Sequence, residues 1–212
     1  MDKKAVKVLE SLKEIYPVAK YMLRAKNPLQ ILIATILSAQ TTDRQVNKVL
    51  PSLFSEFKTA EEFADSPLAK IEGKIKSIGL YRTKAKNIKA ACTIIQQKYR
   101  GQVPDSMDKL LELPGVGRKT ANVVLPNAFG KIEGICVDTH VARLAFRLGW
   151  TQNRDRNKIE KDLIGLLPKE WWHKATYLLI EHGRAVCKAP VPSCSRCGIS
   201  GLCPRNGVEK WK

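Results

Sequence analysis

Lys119 closes the run Leu113-Pro114-Gly115-Val116-Gly117-Arg118-Lys119, where a glycine-bracketed turn delivers a basic side chain onto the start of a new helix. Glycines at 115 and 117 permit positive φ and close backbone approach to a ligand, and the amides of a first helical turn are unpaired donors suited to phosphate. A Leu-Pro-Gly turn alone equally fits an ordinary helix stop with a solvated lysine behind it. Further on, Val137-Asp138-Thr139-His140 places Asp138 where a helix N-cap belongs. A cap aspartate is a structural feature worth ~1 kcal/mol. The backbone N–H bonds it accepts also favour an ionised carboxylate, suited to stabilising positive charge or relaying a proton.

The third constellation is Cys187-x6-Cys194-x2-Cys197-x5-Cys203, four thiolates within 17 residues. A loop this short can wrap one compact soft-metal centre. Structural zinc sites usually pair two close doublets. Here only Cys194 and Cys197 form one, so the spacing favours a four-iron cluster, with zinc as the alternative. Cys92 and Cys136 sit in apolar stretches and read as small core residues. The clustering of the other four near one end, without a secretion signal, argues for a metal site over a disulfide framework.

The chain that must position these groups has 212 residues, 44% of them hydrophobic. A chain of that size buries roughly 70% of its unfolded surface, enough for one large or two small domains. Its 37 Lys and Arg against 20 Asp and Glu give a formal charge of +17. So strong a positive field points to nucleic acid or an anionic membrane as partner. No apolar run approaches the ~20 residues of a spanning helix. A soluble intracellular protein that binds nucleic acid is the expectation.

Nearly every segment repeats at helical period, so the fold class is all-α. Ala5, Val8, Leu9, Leu12 and Ile15 share one face of a first helix, capped by Asp2 and ended by Pro17. Asn27-Pro28 opens an almost wholly apolar helix to Leu37, which only a core can accommodate. Helices are expected from Thr42 to Phe57 with a break or kink at Pro51, from Thr59 with a capping box to Glu62, from Pro67 to Ile78, and from Arg82 to Tyr99. Ser106 caps a short helix that, with the Pro114 turn and the Lys119 helix, makes a helix-hairpin-helix. Pro126 should kink or stop the second arm. The helix capped by Asp138 ends at Gly149, and two more precede Gly183, which opens the cysteine loop.

Together with Ser38-Ala39-Gln40-Thr41-Thr42-Asp43 and Ile78-Gly79-Leu80-Tyr81, these motifs resemble the endonuclease III family of DNA base-excision repair glycosylases over almost the whole chain. The resemblance implies a two-domain helix-hairpin-helix DNA glycosylase fold. Residues 22–133 would form a helical barrel, residues 1–21 with 134–212 an iron–sulfur domain, and the active site would lie in the cleft between them. It further implies a [4Fe-4S] cluster on Cys187, Cys194, Cys197 and Cys203. Lys119 would attack C1′ of a flipped-out damaged nucleotide, expel the base and form a Schiff base, from which β-elimination nicks the strand. Asp138 would assist.

An ordinary lysine, pKa ~10.4, is neutral in only about one molecule in 2,500 at pH 7. Burial, the helix's positive end and Arg118 are the influences expected to favour the neutral amine. By the same resemblance Gln40 fills the hole left by the flipped base and Leu80 wedges into the opposite strand. The amides of Gly115, Val116 and Gly117 would meet phosphate, together with a bound monovalent cation. Arg82, Lys84, Lys86 and Lys89 add a basic face, and Lys188 and Arg196 could reach the backbone, although this cysteine loop is less basic than the family's usual one. The implied partner is double-stranded DNA with a damaged base, taken as an oxidised pyrimidine, or an abasic site. A monomer in the prokaryotic cytoplasm, at the nucleoid, is expected. Mismatch glycosylases of the same fold generally lack a lysine at position 119, and a non-enzymatic DNA binder leaves the Lys119 and Asp138 pairing unexplained.

Overall fold

Six helices start on a side-chain cap within four residues of their first turn, which is why their N-termini are local properties of the sequence. Asp2 accepts from the amides of Lys4 and Ala5 ahead of α1 (Lys3–Ile15), and Asn27 from Gln30 ahead of α2 (Pro28–Leu37). Thr42 caps α3 (Asp43–Glu56), Thr59 and Glu62 form a reciprocal capping box on α4 (Ala60–Asp65), and α5 spans Leu68–Ile75. The chain continues through α6 (Tyr81–Tyr99), α7 (Met107–Leu111) and α8 (Arg118–Phe129). Asp138 caps α9 (Thr139–Arg147), Asp155 caps α10 (Arg156–Leu166), and α11 runs Lys169–Ala185. The computed structural model describes residues 2–212; among them there is no strand, and the fold is all-α.

Several local expectations give way to packing. Pro51 lies inside a continuous α3. An interior proline costs ~3 kcal/mol, but burying Leu50 and Leu53 on either side of it recovers about 1.5–3 kcal/mol per side chain. Pro126 likewise does not stop α8, which ends at Gly130 in the left-handed region. Ser106 sits at the N-cap of α7 without a side-chain cap hydrogen bond. Ile15 is 44% exposed rather than part of the buried face of α1. Gly183 does not open the cysteine loop, since α11 continues past it; a Cβ there would fall 2.9 Å from His140 Nδ1 and 3.1 Å from Arg143 Nη2, so its missing side chain makes room for these two α9 side chains.

The chain divides into two compact units, one of Met22–Glu133 and one of the residues up to Tyr21 with Gly134–Lys212. In the first, α2 packs on α8 and α4 on α6, around Leu32, Ile33, Leu37, Phe63 and Ile88. Every residue from Ile31 to Leu37 is buried, which explains an apolar helix without a polar face. In the second, α11 packs against α1 and α9 over Leu9, Leu12, Leu144, Leu163 and Leu179.

Candidate active site and cysteine centre

In the 22–133 unit, α7 and α8 are joined by a tight turn in which the Val116 amide donates to the Leu113 carbonyl at 3.0 Å. Pro114 at the second position and Gly115 at φ +81 at the third make it a type II turn. A Cβ on Gly115 would lie 3.0 Å from Asn87 Cβ on α6. Gly117 has a different task from the one expected, because its φ of −95 is open to any residue. It is the N-cap of α8, has open space where a Cβ would stand, and leaves the helix start without a side-chain cap. The Val116 amide is taken by the turn, and Val116 itself is buried, so Gly115 and Gly117 are the amides of this trio available to a phosphate. Lys119 stands on the first turn of α8. It and Arg118 are exposed, in contrast to the burial expected around the amine.

Gln40 and Leu80 are brought together. Gln40 (φ 53) and Leu80 (φ 59) are both non-glycine residues in the left-handed region, both exposed, in adjacent turns: a Cβ on Gly79 would lie 3.8 Å from the Gln40 carbonyl and from Thr41 Oγ1. The expected basic face of α6 is only half there. Arg82 and Lys86 are exposed, but Lys84 is buried and donates to the Leu37 carbonyl and Thr41 Oγ1. Lys89 donates to the carbonyls of Ala64 and Ser66 at the end of α4. Helical spacing puts Arg82, Lys86 and Lys89 on one strip and Lys84 on the opposite, apolar side with Ile88 and Cys92; packing buries Lys84 there and draws Lys89 in against α4.

Asp138 belongs to the other unit. It is half-buried, and its Oδ1 accepts from the amides of His140 and Val141, both at 2.8 Å, while among the described residues Oδ2 has no hydrogen bond. The carboxylate is thus held rigidly by one oxygen and presents the other.

The four loop cysteines are all free thiols and line one cavity with Leu144, Leu148 and Ile199. No Asp or Glu lines it, and beside the single imidazole of His182 the four thiols make the donor set predominantly soft sulfur, which fits an iron–sulfur cluster. Among the described residues no three His, Cys, Asp or Glu side chains converge on a single-ion site; the thiols ring a space instead. Burial pushes the Cys197 and Cys203 thiols up, and the neighbouring thiols add to it. By contrast Cys92 is a core thiol, pushed up to about 12 by burial, and Cys136 is buried too.

Sequence reasoning missed the side chains that hold this loop. Buried Arg147 donates to the Lys188 carbonyl at 2.9 Å, the Pro190 carbonyl at 3.1 Å and Cys187 Sγ at 3.3 Å. Arg143 Nε donates to the Cys187 carbonyl at 3.1 Å. His182 stands 3.4 Å from Cys197 Sγ and 3.1 Å from the Tyr16 hydroxyl. The available signal was the Arg143 and Arg147 pair, one helical turn apart on the Asp138 helix and four positions from each other. Lys188 and Arg196 are exposed. No helix of the described residues is long and apolar enough to cross a membrane.

Residues 33–169 match the HhH-GPD superfamily of base excision DNA repair proteins, and the chain belongs to that superfamily. It is 49% identical to endonuclease III of Synechocystis sp. over 201 residues, covering 95% of this chain and 92% of that one, and 44% identical to endonuclease III of Bacillus subtilis over 205 residues, covering 96% and 93%. A solved structure of a trapped endonuclease III–DNA covalent intermediate superposes with a TM-score of 0.90 at 42% identity, covering 97% of each chain. Such identity across nearly the whole length puts it among the endonuclease III enzymes, the base-excision repair proteins that are both DNA glycosylase and abasic-site lyase.

Proposed function

We propose that the enzyme removes oxidised pyrimidines from double-stranded DNA and nicks the resulting abasic site, with Lys119 as nucleophile. The Lys119 amine attacks C1′ of the extruded nucleotide, the glycosidic bond breaks and the base departs. The sugar ring then opens, the C1′–O4′ bond breaking as O4′ takes up a proton, and C1′ is left joined to Lys119 as a Schiff base. Loss of a proton from C2′ with cleavage of the C3′–O bond completes β-elimination. Asp138, with Oδ2 unengaged, stabilises the positively charged sugar or takes the proton released by the attacking amine. The Gly115 and Gly117 amides and the start of α8 bind the phosphate beside Lys119. Gln40 and Leu80 offset the few kcal/mol of unstacking that extrusion costs.

The observation that carries this reading is the lysine on the uncapped first turn of α8, delivered there by the Leu113–Val116 turn. Cys187, Cys194, Cys197 and Cys203 would hold a [4Fe-4S] cluster, and when bound it cross-links the loop to the body of its unit. The enzyme acts as a monomer. The test is borohydride trapping on a duplex with one thymine glycol: wild type should give a covalent protein–DNA adduct and Lys119→Ala none. A wild-type protein loaded with its cluster that releases base but never traps would overturn the nucleophile assignment.

A further inference from the structure

Gln40 and Leu80 pay for their backbone. A non-glycine residue in the left-handed region costs roughly 1–2 kcal/mol, and glycine would remove that cost at either position. Leu80 in addition leaves 61% of an apolar side chain in water. Something must hold both turns in this conformation, and one residue touches both, the Leu80 turn through its backbone as part of α6 and the Gln40 turn through its side chain. Lys84 donates its backbone amide to the Leu80 carbonyl at 3.0 Å. Its Nζ donates to the Leu37 carbonyl, at the end of α2, at 2.8 Å, and to Thr41 Oγ1, next to Gln40, at 2.9 Å.

Lys84 is a poor choice if stability were its only purpose. It is 4% exposed, and its side-chain partners are a carbonyl and a hydroxyl rather than a carboxylate. Burial pulls its pKa down, which is the mark of an ammonium that the site disfavours. The carbonyl end of α2 offers only the partial negative charge of a helix C-terminus. A methionine would occupy similar space without that cost, as buried charges replaced by apolar side chains often show.

Resting on the roles given above to Gln40 and Leu80, we infer that Lys84 is a positioning residue for base extrusion, fixing the Gln40 turn and the Leu80 turn against each other so that both side chains enter the duplex together. Lys89, one turn further along α6, is the internal control. It closes the end of α4 through the Ala64 and Ser66 carbonyls and reaches neither turn.

The test compares two rates for each variant: base release from a thymine glycol duplex, which requires extrusion, and β-elimination on a single-stranded abasic oligonucleotide, which does not. Lys84→Met and Thr41→Val should slow the first about tenfold, one lost contact's worth of barrier, and leave the second within about twofold of wild type. They should also delay the fluorescence rise of a 2-aminopurine placed beside the lesion. Thr41→Ser, which keeps the hydroxyl, should restore the rate, and Lys89→Met should leave the ratio of the two rates unchanged. Thr41→Val carries the test if Lys84→Met folds poorly. Equal losses on both substrates, or no loss in Lys84→Met and Thr41→Val, would overturn the inference. Gln40→Ala and Leu80→Ala run alongside: if they show the duplex-selective loss and the Lys84 and Thr41 variants do not, the inference alone fails, and if they show none, the extrusion roles fail with it.

Discussion

The two glycines of the hairpin predict opposite failures. In Gly115→Ala the new side chain must sit at φ +81, at roughly 1–2 kcal/mol, and its Cβ must lie 3.0 Å from Asn87 Cβ, which cannot move unless α6 moves. Overpacking of that kind costs roughly 1–3 kcal/mol. The sum is about 3 kcal/mol, or on the order of 10 °C in the unfolding temperature of a unit of this size. Asn87→Ala removes the contacts to Nδ2 and Cγ but not the one to Cβ, so it should recover only part of the loss. In Gly117→Ala, φ is −95 and nothing stands within 4 Å of the new methyl. The weaker N-cap costs up to ~1 kcal/mol and the stiffer unfolded chain returns about 0.4–1, leaving a change near zero. On the proposed reading, that methyl stands where the backbone meets phosphate. Losing one charge-assisted hydrogen bond should cost about tenfold in affinity for an abasic-analogue duplex.

Urea unfolding and fluorescence anisotropy at fixed salt separate the two variants, the salt being stated because backbone binding depends steeply on it. A Gly115→Ala protein as stable as wild type, or a Gly117→Ala protein destabilised as much as Gly115→Ala, would refute the reasoning.

Asp138→Asn should keep its stability, since asparagine caps as well as aspartate, yet lose about 100-fold or more in base release; a normally folded variant with full glycosylase activity would sink the role given to the carboxylate. Asp138→Ala should in addition lose ~1 kcal/mol with the cap. Arg147→Met leaves the Lys188 and Pro190 carbonyls without their donor, at about 1–3 kcal/mol where they stay dry, so iron and acid-labile sulfide per chain should fall, and an unchanged content would show that the loop holds itself. Burial keeps the His173 pKa below its ordinary value. The unfolded chain therefore takes up that proton first, and the stability from His173 is complete above about pH 6.5 and drains away as pH falls toward the depressed native value. Urea titrations at pH 7.5 and 5.5 on wild type and His173→Gln should show a smaller pH dependence in the variant, and an identical one would remove His173 from the account.

By itself the sequence determined whatever depends on neighbours within about one helical turn. Asp2, Asn27, the Thr59 and Glu62 box and Asp138 cap where they were expected to, because a cap needs only an amide two or three residues away. The all-α class follows from the same short-range periodicity, and the Leu113–Val116 turn from one proline and one glycine. The tertiary structure decided which way a helical strip faces. Lys89 shares the strip of exposed Arg82 and Lys86, and carbonyls at the end of α4 take its ammonium; Lys84 lies on the apolar side of α6, and the end of α2 supplies the carbonyl that lets an ammonium stay there. Gly183 looked like a helix stop until His140 and Arg143 occupied the space of its missing side chain, and Gly117 looked like a positive-φ turn residue until Gly115 alone took that conformation. Pro51 and Pro126 failed to break their helices because burial outweighed a local penalty. Period and propensity place a residue on a surface of its own helix, and only the rest of the chain determines what that surface meets.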